Sequence, residues 1–107
     1  MSNLKIDIIP CLSDNYSYVL SIGKDALVID PSEALPIIKF LEKNNLKLKY
    51  ILNTHHHFDH VGGNLELKNK YSALIAGNEK DKERIPGIDI LLNESEKFYF
   101  NNSEFEI

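Results

Sequence analysis

All four histidines of this 107-residue chain fall in one run, Thr54-His55-His56-His57-Phe58-Asp59-His60, followed at once by Val61-Gly62-Gly63-Asn64. Neutral imidazole and carboxylate are the ligands a borderline divalent cation prefers, so the run reads first as a metal site. Four histidines that only cap and hydrogen-bond a loop are the plainer reading; ligand spacing with an interposed Asp favours the metal. His55 and His57, at i and i+2 of an extended segment, project to one side and can grip one ion. Asp59 and His60 lie just beyond, where a turning backbone can aim both at a second ion. A single ion, with Asp59 outside its coordination sphere, is another use of the same donors. Gly62-Gly63 lets the backbone turn tightly and approach the site, and a helix starting there points its positive end at the pocket. Such a run belongs between an incoming strand and an outgoing helix, the crevice where α/β folds place ligands.

The flanking sequence agrees. Leu4 to Ile9 alternates loosely and stops at Pro10, which predicts a strand. Tyr16 to Ile22 and Ala26 to Asp30 predict two more, joined by the hairpin-sized Gly23-Lys24-Asp25. Ser32 is a candidate cap for the next helix, with Pro36 tolerated in its first turn. Ala34, Ile37, Ile38 and Leu41 fall at i, i+3, i+4 and i+7, the apolar face of that helix, and Asn44-Asn45 is a left-handed stop. Tyr50 to Leu52 predicts a short strand entering the histidine run, Gly63 to Tyr71 a second helix, and Ala73 to Ala76 another strand. The charged stretch Glu79 to Arg84 reads as solvated surface, and Pro86-Gly87 as a turn. Ile88 to Leu92, Lys97 to Phe100 and Glu104 to Ile107 predict short strands. The fold class expected is α/β, layered, with strands predominating late. Glu104-Phe105-Glu106-Ile107 alternates cleanly with no terminator, so residues 1–107 are expected to be the N-terminal part of a domain truncated at its C-terminal end, leaving an unfinished strand edge.

Composition narrows the partners. A formal net charge of −4 leaves no basic stripe, which argues against nucleic acid. The start lacks a signal-peptide pattern and no stretch approaches a membrane span, so the expected location is cytoplasmic with no membrane partner. Cys11, the single cysteine, cannot form an internal disulfide and reads as a small buried hydrophobe. Asp30, at a strand end, can orient a metal-bound imidazole through its other ring nitrogen or can be a turn residue before Pro31. Thr54 can fix the geometry of the loop it precedes. With Gly62 and Gly63, these are the candidate supporting residues.

Thr54 to Asn64 resembles the metal motif of the metallo-β-lactamase superfamily. Asp14-Asn15-Tyr16-Ser17-Tyr18-Val19-Leu20 and Val28-Ile29-Asp30-Pro31 are similar to segments of its glyoxalase II (hydroxyacylglutathione hydrolase) branch. The resemblance implies the N-terminal half of an αββα sandwich with a binuclear site holding two divalent ions, usually zinc, with iron or manganese also used. It implies His55 and His57 as ligands of the first metal and Asp59 and His60 as ligands of the second. The implied reaction is hydrolysis of the glutathione thioester S-D-lactoylglutathione to D-lactate and glutathione, with metal-bound hydroxide as nucleophile and Asp59 as the catalytic residue that helps orient it. Family members are more than twice as long, so the metal sphere supplied by this chain alone is expected to be incomplete. Two other readings stand beside the thioester hydrolase. One is an inactive truncated domain that forms a homo-oligomer through an exposed strand edge or pairs with a complementary half. The other is a different hydrolase of the superfamily, or a persulfide dioxygenase.

Overall fold

A computed structural model describes residues 4–11, 15–54, 62–85, 87–93, 97–100 and 103–106. Strands β1 (Leu4–Cys11), β2 (Asn15–Ile22) and β3 (Asp25–Ile29) form an antiparallel meander. Helix α1 (Ala34–Lys43) then carries the chain over to β4 (Lys47–Asn53), which runs parallel to β3. Helix α2 (Asn64–Tyr71) leads to β5 (Leu74–Asn78), and after a turn of 3₁₀ helix (Glu79–Asp81) the chain adds β6 (Ile90–Leu92). The six strands make one sheet in the order β1-β2-β3-β4-β5-β6, parallel from β3 onward. Strands β7 (Lys97–Phe100) and β8 (Ser103–Glu106) pair antiparallel as a separate two-stranded sheet. The expected layered α/β class is thus what forms. Among the described residues no helix is long and apolar enough to cross a membrane.

Alternation divides the sheet residues between two faces. Val19, Ala26, Val28, Ile51 and Ile75 point to one face and pack against Ile37 and Leu41 of α1 and Leu67 of α2. Leu27, Leu52, Ala76 and Leu92 point to the other, where Phe98 and Phe100 of β7 cover them. Tyr50 stands edge-on to both of those rings, with centroids 5.1 and 6.1 Å away. The predicted apolar face of α1 is present: Ala34, Ile37 and Leu41 are buried.

Several boundaries differ from the sequence expectation for identifiable reasons. Pro10 does not end β1, because an edge strand has one side without a ladder, and Pro10 pairs with Tyr16. Ser32 does not cap α1. The N-cap is Glu33, without a side-chain cap bond, and the Ser32 N–H points to Ser17 Oγ at 3.4 Å. Strand β4 is longer than Tyr50–Leu52, beginning at Lys47 beside Asp25. Asn45 does take the left-handed conformation expected of a helix stop, with φ of 54°.

Candidate metal-loop supports

The carboxyl ends of β3 and β4 lie side by side, and two short segments leave them: Asp30-Pro31 from β3 and Thr54 onward from β4. Strand β3 stops at Ile29, and Asp30 turns into the left-handed region with φ of 51°. A non-glycine residue holds that conformation only where its surroundings fix it, and Asp carries a smaller penalty there than most. Here the fixing groups are visible. The Asp30 N–H donates to Leu52 O at 3.0 Å, and Ser17 Oγ donates to Asp30 O at 2.7 Å. Ser17 itself is fully buried on β2 and lies 3.3 Å from the buried Cys11 thiol. Cys11 is thus the buried small residue the sequence suggested.

With its backbone turned, Asp30 presents its carboxylate to β4. Oδ1 accepts the Thr54 N–H at 2.7 Å and Oδ2 accepts the Thr54 hydroxyl. Asp30 is 7% exposed, so both bonds are largely sheltered from water. Of the two sequence readings of Asp30, the turn before Pro31 is the one visible among the described residues, and the same carboxylate holds Thr54.

The far end of the loop is anchored to the same turn. Gly63 donates its N–H to Pro31 O at 2.7 Å and sits at the N-cap of α2 with φ of −94°. That φ is open to any residue, so glycine is required here for space. A Cβ at Gly63 would lie 2.9 Å from Ala34 N and Glu33 C and 3.0 Å from Pro31 O, all backbone atoms. Gly62 is exposed and precedes it in the turn. Asn53, the last residue of β4, and Asn64, the first of α2, are also joined. Asn53 Nδ2 donates to Asn64 Oδ1 at 3.3 Å, and Asn64 Nδ2 donates to Asn53 Oδ1 at 2.6 Å. Sequence reasoning did not single out Ser17, Asn53 or Asn64. The available signal was Asn53 itself, a polar side chain two residues after buried Ile51 and so on the same buried face.

His55, His57, Asp59 and His60 lie outside the described residues, as does Val61. Among the described residues no three His, Cys, Asp or Glu side chains converge as a metal-binding group. The structure describes the two ends of the donor segment and what holds them.

Helix α2 is fastened at its other end. Lys68 Nζ lies 2.5 Å from Asp89 Oδ2 and 3.0 Å from Gly87 O, and the Ile75 N–H donates to the same carboxylate at 2.9 Å. Burial pushes the Asp89 carboxyl upward, but the hydrogen bonds from Lys68 and Ile75, with the Lys68 charge, outweigh it and hold the group below its ordinary value.

Comparison with known proteins identifies the class of this arrangement. The model of the metallo-β-lactamase superfamily matches residues 12–100, and the chain belongs to that superfamily. A hydroxyacylglutathione hydrolase of Pelagibacter ubique is 55% identical over 106 residues, which are 97% of this chain and 44% of that relative. The chain thus spans less than half the length of this relative. Among solved structures, the B3 metallo-β-lactamase BLEG-1 superposes with a TM-score of 0.85 over 95% of this chain and 59% of its own, at 24% identity. The class B3 di-zinc metallo-β-lactamase LRA-12 gives a TM-score of 0.73 over 85% of this chain and 44% of its own, at 18% identity. At those identities the structural likeness establishes the fold.

Proposed function

We propose that the protein is a metal-dependent thioester hydrolase of the hydroxyacylglutathione hydrolase type. The observation that carries the reading is the clamp of Asp30 on Thr54. It fixes the backbone one residue before a segment whose side chains are metal donors, at the strand ends where α/β folds place ligands. The donor set suits the group: three imidazoles and a carboxylate, from His55, His57, Asp59 and His60, match what zinc, iron or manganese take. His55 and His57 would hold one ion, and Asp59 and His60 a second. Divalent ions held there would supply Lewis acidity, acidifying a water and polarising the thioester carbonyl.

The chain's own residues do the positioning. Asp30 holds Thr54, the residue just before His55 in the chain. Gly63, held on Pro31 O, sets where the segment rejoins α2. Asp59 orients the attacking water. The leaving thiolate needs no strong acid, since a free thiol already ionises near a pKa of about 8.5. The choice of a glutathione thioester rests on the Pelagibacter relative and on the segments Asp14 to Leu20 and Val28 to Pro31.

The test is hydrolysis of S-D-lactoylglutathione by the zinc-loaded protein, assayed beside a β-lactam substrate. Thioester turnover that EDTA abolishes and zinc restores supports the reading, and zinc uptake without turnover is the result an incomplete metal sphere would give. Turnover of the β-lactam alone would move the protein to a different branch of its superfamily.

A further inference from the structure

The side chains of Asn53 and Asn64 stand eleven residues apart in sequence and pair reciprocally across the neck of the 55–61 segment. Both are buried, at 3% and 0% exposure, on the helix-covered side of the sheet. Neither location favours an amide. Asn53 occupies the position after Ile51 in the inward alternation of β4, where an apolar side chain would be normal. Asn64 is the first residue of α2, after the N-cap Gly63, and its side chain is fully buried. A buried amide carries a desolvation penalty that hydrogen bonds must offset. Here each donates one N–H to the other and accepts one from it.

From this pairing we infer that Asn53 and Asn64 are positioning residues for the metal site, a pair that closes the neck of the donor segment before metal arrives. The inference rests on the metal reading of His55, His57, Asp59 and His60. Its physical content is preorganisation. A segment of this length with free ends must lose conformational freedom when it takes up an ion, which weakens binding. With Asn53 and Asn64 joined by a two-bond amide pair, the cost of bringing the two ends together has already been met on folding. The pair also fixes orientation. Carboxamides meet in a plane with donor facing acceptor, so the end of β4 and the start of α2 are held in one relative rotation, which apolar contact would leave free.

Affinity for zinc and for cobalt(II), measured by competition titration on the purified protein, tests the inference together with the thermal midpoint of the metal-free form. Asn64→Ala and Asn53→Ala should each weaken metal binding about tenfold, the lower end of what loss of supporting hydrogen bonds does at metal sites. The double Ala variant should be no weaker than either single one, since the two amides act as one unit. If the Ala variants fail to fold, Asn53→Leu/Asn64→Leu replaces both partners with apolar groups of similar shape, a change that is nearly neutral for stability. That variant should regain the parent's midpoint without regaining its metal affinity. Parent-like affinity in folded Asn64→Ala, or in the double Leu variant, would overturn the inference and leave the metal reading intact. A parent protein that takes up neither zinc nor cobalt would overturn the metal reading and the inference together.

Discussion

On one face of the six-stranded sheet Val19, Val28, Ile51 and Ile75 are fully buried beneath α1 and α2; on the other, Ile6 and Ile8 of the edge strand are 60% and 59% exposed. The second face is covered by β7 at Tyr50, Leu52 and Leu92, while β1 and the Tyr16–Tyr18 end of β2 present apolar side chains to solvent. Asn53, Asn64, Gly63 and Ser17, which hold the ends of the 55–61 segment, are buried with the helix-covered layer. The supports of the proposed metal site therefore draw their rigidity from the well-packed side and owe nothing to the strip along β1.

The comparison breaks most visibly in urea denaturation. Ile51→Ala should lose about 2–5 kcal/mol, the range for emptying a filled core position, whereas Ile6→Thr should stay within about 0.5 kcal/mol. A large loss at Ile6 would show that the strip along β1 is packed in solution. Gly63→Ala comes next, with a loss of about 1–3 kcal/mol, because its methyl meets the backbone at Ala34 and Glu33. A neutral Gly63→Ala would show that the α1–α2 junction yields more than the buried layer implies.

How much of this was readable in the sequence follows the range of the interactions. The amphipathic face of α1 and the strands around the histidines are local patterns, and they formed where the spacing put them. The boundary errors had tertiary causes. Ser32 looked like a helix cap, but its N–H is directed at Ser17 from a different strand. Pro10 looked like a strand end, but an edge tolerates it. In the site, Asp30, Thr54 and Gly63 could be nominated because they adjoin the donors. The Asn53–Asn64 pair could not, since an amide's partner eleven residues away depends on how the strand and helix return to each other. For Gly63 the sequence suggested a tight turn, and the structure gives close backbone approach as the reason.

The smallest predicted effect is a pH dependence on the same helix-covered side. Asp89 is held below its ordinary value of 3.8, so its partnership with Lys68 contributes stability above that value. That stability is lost as pH falls through the lower, folded-state value. Below about pH 4 the thermal midpoint of the parent should therefore fall more steeply than that of Asp89→Asn, by the equivalent of at most about 1 kcal/mol. Parallel acid profiles would show that this tie between α2 and the start of β5 contributes nothing measurable.

The central claim is that the segment held by Asp30, Thr54, Asn53 and Asn64 binds divalent metal. The zinc content of the purified protein, loaded with zinc and dialysed, tests it most directly. The account predicts at least about one zinc per chain, held by the imidazole and carboxylate donors of the segment, and its loss in His57→Ala. A parent that keeps no zinc, or a His57→Ala variant that keeps as much as the parent, would contradict it.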